Sequence, residues 1–127
     1  MLRVMLKSKI HRATVTQADL NYEGSLTIDA DLMRAADILE YEMVHVFNIS
    51  NGERFQTYAL EGEAGSGIMC LNGAAARKGA VGDLIIVATF ATYDAAALKE
   101  HRPLIVLVDA DNRQKKPLEK SWKRATS

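Results

Sequence analysis

The sequence predicts a mainly β domain, and three observations carry that prediction. Seven or eight short runs of apolar and β-branched residues are separated by Gly, Asn and Asp turn signals, and helical spacing is confined to brief stretches within the connections. There is no βαβ rhythm and no nucleotide fingerprint. With 127 residues and 48% hydrophobic composition, the chain fits one domain with its own core.

The elements follow in order. Residues 2–7 and 10–16 alternate in part between apolar and polar, with Leu2, Val4 and Leu6 on one parity, which predicts an early strand or bent strand pair with Lys9 and His11 on a shared face. Residues 19–24 read as a loop that delivers the chain to Ser25. Residues 26–28 form a short strand, and Asp29 is a good N-cap for a helix over residues 30–38. Residues 43–49 alternate again, Asn51-Gly52 signals a hairpin, and residues 55–60 return. On that return strand Arg54, Gln56 and Tyr58 are expected on one face, with Phe55 and Thr57 on the other. Three glycines between 62 and 67 make a flexible connection before a buried strand at 68–71. Gly73-Ala74-Ala75-Ala76 opens a short helix, either for close packing on the sheet or to offer unobstructed N–H groups to an oxygen ligand. Gly82-Asp83 makes a turn, residues 84–92 a strand, 94–100 a helical turn or lid, and 104–108 a last buried strand.

Charge and cysteine usage bound the function. Sixteen basic residues balance 16 acidic ones, but residues 111–127 carry six Lys/Arg against two Asp/Glu, so the body is mildly acidic and lacks the basic face that nucleic-acid binding needs. No apolar run approaches the roughly 20 residues of a membrane span, and no signal-peptide core is present, so a cytoplasmic protein is expected. Cys70 is the only cysteine and the three histidines lack metal-binding spacing, which predicts neither a disulfide nor a metal site.

Gly24-Ser25 has two readings. It is ordinary turn chemistry, glycine supplying a positive φ. Alternatively the Ser25 hydroxyl attacks the unshielded Gly24 carbonyl, turning the peptide into an ester; elimination then leaves dehydroalanine, and loss of ammonia leaves an N-terminal pyruvoyl group. Two residues do not decide between these.

Four blocks do carry a resemblance: residues 5–12 (MLKSKIHR), Tyr22-Glu23-Gly24-Ser25 leading into Ile28-Asp29, Asn51-Gly52-Glu53-Arg54 with Thr57-Tyr58, and Asn72-Gly73-Ala74-Ala75-Ala76. In order and spacing over residues 1–112 the chain closely resembles the aspartate 1-decarboxylase family of bacterial pantothenate biosynthesis. The resemblance implies a double-ψ β-barrel over residues 1–112; apolar content collapses from Asp109 onward, so residues 113–127 are expected to be a basic tail, mobile or loosely docked. It implies a homotetramer with active sites between subunits, and a zymogen that cuts itself between Gly24 and Ser25. L-aspartate would form a Schiff base with the pyruvoyl group made from Ser25, without external cofactor or metal, and would leave as β-alanine and CO2. By the same resemblance Tyr58 is the proton donor, Lys9, Arg54 and Thr57 contact substrate, Gly73, Ala74 and Ala75 offer main-chain N–H groups, and His11, Tyr22 and Asn72 line the pocket. Thr57 is the first choice for a hydrogen-bond donor at the Gly24 carbonyl. A helper protein in maturation stays open. Phe47 stands where some members carry Trp, and Arg77 where many carry His; neither change removes a reacting group. Two alternatives remain at this point: a noncatalytic small-barrel module in which Gly24-Ser25 is only a turn, and a pyruvoyl decarboxylase for another amino acid.

Overall fold

A computed structural model describes residues 1–116. Nine strands form one sheet: β1 (Arg3–Thr14), β2 (Gln17–Asp19), β3 (Ser25–Asp29), β4 (Met43–Asn48), β5 (Arg54–Gly62), β6 (Met69–Asn72), β7 (Leu84–Tyr93), β8 (Leu104–Val108) and β9 (Gln114–Lys115). The order across the sheet is β2-β6-β3-β5-β4-β7-β1-β8-β9. Three of its pairings, β1 with β8, β2 with β6 and β3 with β5, are parallel between strands far apart in sequence; the rest are antiparallel. The fold is mainly β and of the double-ψ barrel type, with a ladder that does not close at its edges.

Of the two forms predicted for the start of the chain, a strand or a bent strand pair, the structure has the single strand. β1 runs unbroken for 12 residues against β7, and two register shifts, between Leu6 and Ser8 and between Ile10 and Ala13, absorb the broken alternation. Arg12 lies in the second shift with φ 63°, the left-handed conformation that such a bulge imposes. Beyond β1, Val15 bonds to the Asp83 carbonyl and Thr16 to that of Met69, so the chain changes neighbours there and enters β2, which begins between the predicted strand at 10–16 and the predicted loop at 19–24. Three exposed residues carry no periodicity that could have announced β2.

Other corrections concern helices and turns. The first helix, α1, spans only Ala30–Ala35, because Asp37 adopts φ 54° and ends it before Ile38. The short helix predicted from Gly73 is present as a 3-10 helix, Gly73–Lys78, and the predicted helical turn is α2, Ala95–Leu98, capped by Asp94. The β4–β5 hairpin turns through five residues: Asn48 Oδ1 accepts from the N–H of Ser50 and Asn51, and only Gly52 has positive φ. Of the tail expected from residue 113, residues 117–127 lie outside the described residues, while Gln114 and Lys115 pair with Val108 and Leu107.

The core is a single cluster that includes Ile10, Leu26, Ile28, Met33, Val44, Val46, Met69, Leu71, Ile85 and Val87, all at 0–1% exposure. Asp29 ties its rim. The carboxylate caps α1 through the Asp31 N–H and accepts from the N–H groups of Gly65 and Gly67, so one buried side chain fixes both the helix and the glycine loop. Burial pushes the Asp29 carboxyl pKa up, but the amides of Gly67, Asp31 and Gly65, with the Arg113 charge, outweigh that and hold it below the usual value. A depressed carboxyl pKa stabilises the fold above the unfolded-state value, and that stability is lost as pH falls through the folded-state one. Asp29→Asn is therefore expected to cost about 1–3 kcal/mol at neutral pH, read as a lower thermal midpoint. The gap to the unmodified protein should close in acid.

Candidate active site

The exposed loop of residues 20–24 enters the buried strand β3 at the Gly24–Ser25 bond: Gly24 is exposed, Ser25 at 0%. Gly24 is not among the positive-φ residues, so its value there is the absence of a side chain rather than a left-handed turn. The Ser25 hydroxyl donates to the Glu23 carbonyl at 3.0 Å and accepts from Asn72 Nδ2 at 3.0 Å. Asn72 lies directly opposite Ser25 in the antiparallel β3–β6 ladder. Next to it Gly73, at φ 59°, presses on the loop so closely that a Cβ there would fall 2.6 Å from Gly24 N and 2.7 Å from both Gly24 Cα and the Tyr22 carbonyl oxygen. The Ala74 N–H lies on the open side of Gly24, 3.9 Å from where a Cβ would stand. Asn72 makes no side-chain cap on the 3-10 helix, which leaves its first N–H groups to other acceptors.

β5 lies on the other side of β3. The parallel register pairs Leu26 with Ala59, so one residue back Ser25 runs beside Tyr58 at the spacing of neighbouring strands, about 4.8 Å. The predicted parity of β5 holds: Arg54, Gln56 and Tyr58 face outward opposite Phe47, His45 and Met43, while Phe55 and Thr57 oppose the buried Val46 and Val44. Tyr58 is half-buried, its ring 6.2 Å from that of Tyr41. Arg54 is exposed, and its guanidinium carbon sits 4.5 Å from the centre of the Phe47 ring, a cation–π contact that orients the charge without using its N–H donors. His45, Phe47, Arg54, Phe55 and Gln56 line an open hollow of about 530 Å3.

Lys9 and His11 stand apart from this group. Lys9 pairs with Ala88, and Ala88 with His45, which puts β1 three strands from β5 and four from β3. Burial lowers the pKa of Lys9; His11 is lowered by burial and then by the charges of Lys9 and Arg12. One chain thus gathers Gly24, Ser25, Tyr58, Asn72, Gly73 and Ala74 around the Gly-Ser bond, with Arg54 along the same strand as Tyr58, while Lys9 and His11 stand on β1, four strands along the sheet order from β3. The resemblance put Thr57 first as the donor at the Gly24 carbonyl and Asn72 among the residues lining the pocket; in the uncut chain the Asn72 carboxamide touches the Ser25 hydroxyl.

A sequence profile of the aspartate decarboxylase family matches residues 1–115. The chain belongs to the aspartate decarboxylase family. A protein of Syntrophobacter fumaroxidans named aspartate 1-decarboxylase is 62% identical over the whole of both chains. One of Myxococcus xanthus with the same name is 63% identical over 113 residues, 89% of this chain and 87% of its own. That of Desulfotalea psychrophila is 59% identical over 112 residues, 88% and 94% of the two chains. Among the described residues no helix is long and apolar enough to cross a membrane.

Proposed function

We propose that this chain is an aspartate 1-decarboxylase, removing the α-carboxylate of L-aspartate to give β-alanine and CO2, with a pyruvoyl group made from its own Ser25. The observation that carries this reading is the buried Ser25 hydroxyl, hydrogen-bonded on both sides, at the end of a loop pinned by Gly73. The oxygen adds to the Gly24 carbonyl carbon as its proton passes to the Ser25 nitrogen, and the C–N bond breaks to leave an ester. Loss of the Ser25 α-proton then breaks the Cβ–Oγ bond and frees Gly24 as a carboxylate. Water replaces the nitrogen, which departs as ammonia.

A pyruvoyl group at position 25 supplies a ketone that takes up the substrate amine and a conjugated carbonyl that accepts the electrons released with CO2. The residues around Ser25 fit such a group: Asn72 offers N–H to an oxygen there, and Ala74 an N–H beside it. Arg54, a fork of permanent charge held over Phe47, pairs with a substrate carboxylate, and Lys9 supplies the second cation for a dicarboxylate. Tyr58, beside position 25, delivers a proton to the carbon that CO2 leaves. Thr57, Gly73 and Ala75 shape the remaining wall, with His11 and Tyr22 at its edge.

Lys9 and His11 stand on β1, four strands along the sheet order from β3, an arrangement that fits a site completed by a second copy in a homotetramer with active sites at its interfaces. Supporting this, Tyr22, Leu39, Tyr41 and Met43 are 54–71% exposed around the loop and β4, an apolar surface of the kind that subunit contacts cover.

The testing experiment is intact mass under denaturing conditions together with aspartate turnover. The expected products are residues 1–24 and a longer fragment lighter by one ammonia than a serine-started chain, with β-alanine formed only by the cut protein. A single inert chain, unchanged by warming or host extract, would sink the reading. Tyr58→Phe is expected to be cut normally and to lose roughly 100-fold or more in kcat, the contribution of a positioned acid. Unchanged turnover would remove Tyr58 from that role.

A further inference from the structure

Asn72 is 3% exposed and its carboxamide is held on three sides. Nδ2 donates to Ser25 Oγ at 3.0 Å and to Thr27 Oγ1 at 2.8 Å; Oδ1 accepts from Cys70 Sγ at 3.1 Å. The second acceptor near the thiol, the Leu71 carbonyl, is 3.9 Å away and weaker. Thr27 and Cys70 oppose each other in the same ladder that pairs Ser25 with Asn72, so all four side chains meet on one face of two strands.

A carboxamide can turn over end for end with almost no change in shape, so its neighbours decide which end meets Ser25. The Ser25 hydrogen is committed to the Glu23 carbonyl, which leaves Oγ wanting a donor. Cys70 is a better donor than acceptor, and burial, with a push from the Asp19 carboxylate, raises its pKa and keeps it protonated. Thr27 occupies the remaining amide hydrogen. Each contact favours the orientation that turns N–H toward Ser25.

We propose that Thr27 and Cys70 are positioning residues for self-cleavage, holding the Asn72 carboxamide with its N–H on the Ser25 hydroxyl oxygen. This rests on the pyruvoyl reading above. Oγ gathers negative charge twice during maturation: as its proton leaves in the attack on Gly24, and as the Cβ–Oγ bond breaks and the oxygen joins the Gly24 carboxylate. A donor already in place stabilises both stages without reorganising. Neither residue touches a reacting atom; both act through Asn72.

The test is a time course of fragment 1–24 by denaturing mass spectrometry for the unmodified protein, Thr27→Val, Thr27→Ser, Cys70→Ala and Cys70→Ser, with thermal midpoints measured alongside. Thr27→Val keeps the shape and Cys70→Ala removes only the sulfur; both lose the contact and are expected to slow cleavage by roughly three- to tenfold, the worth of one hydrogen bond. The two serine variants retain a hydroxyl and should return to within about twofold of the unmodified rate, a recovery that tracks hydrogen bonding and not stability. Val and Ala variants that mature at the unmodified rate, or serine variants as slow as they are, overturn the proposal alone. An unmodified protein that never cuts overturns the pyruvoyl reading and this proposal with it.

Discussion

Ser25→Ala is expected to give one uncut chain of 127 residues that forms no β-alanine, a loss of at least roughly a millionfold in turnover since no other group present can replace the electrophile. The fold should survive. Ser25 enters β3 through main-chain pairing with Asn72, which alanine keeps, and Asn72 Nδ2 retains its bond to Thr27 while the hydrogen that met Ser25 loses its acceptor. The stability cost is therefore about 1–3 kcal/mol, small enough that a folded, uncut, inert protein can be recovered and measured. Intact mass and a coupled assay for CO2 read both halves of the expectation. An uncut variant that still decarboxylates aspartate would detach the chemistry from Ser25 altogether.

How far the sequence revealed the fold depended on whether a residue's environment was local. Strands with one buried face, such as β4 and β5, alternate because Val44 and Val46 point inward while His45 and Phe47 do not, and the parity of Arg54 and Tyr58 could be read directly. The length of β1 was hidden because two bulges change its parity midway. β2 and β9 were hidden because a strand of two or three exposed residues is specified by the neighbour it pairs with rather than by its own pattern. The parallel pairings that define the topology join strands distant in sequence, and no local periodicity records them.

The site divides in the same way. Gly24-Ser25, Arg54 and Tyr58 are singled out by the family resemblance that their blocks carry, since Gly-Ser alone is ordinary turn chemistry and an Arg or a Tyr on a strand face is common. Asn72 is named there only as lining the pocket, because asparagine before Gly73 also reads as a turn residue; the β3–β6 register is what sets its amide against Ser25. Phe47 stood out only as a position where some members carry Trp, and its contact with Arg54 became visible once the hairpin register placed the two opposite each other. Thr27 and Cys70 carry no motif at all. The one available signal, a polar residue two positions from each member of the Ser25–Asn72 pair, has meaning only when the strands are known to be antiparallel partners.

Gly73→Ala should separate folding from maturation, and its expected effect is second only to loss of the nucleophile. Two penalties combine. At φ 59° an L-residue costs about 1–2 kcal/mol. The new Cβ also meets three backbone atoms, Gly24 N at 2.6 Å, Gly24 Cα at 2.7 Å and the Tyr22 carbonyl oxygen at 2.7 Å, none of which can swing aside as the tip of a side chain could. The loop of residues 20–24 must withdraw, and the Gly24 carbonyl moves away from Ser25 with it. A displacement of about 1 Å in a reacting pair can cost about 100-fold in rate, so cleavage should fall by at least that factor. Gly52→Ala is the control: its φ of 79° imposes a similar backbone penalty, but nothing lies within 4 Å of the added Cβ. Both variants should melt several degrees lower, at roughly 4–8 °C per kcal/mol for a domain of about this size, while only Gly73→Ala stays uncut. A Gly73→Ala protein that matures at the unmodified rate would mean that the loop is not held in its reactive position by this contact.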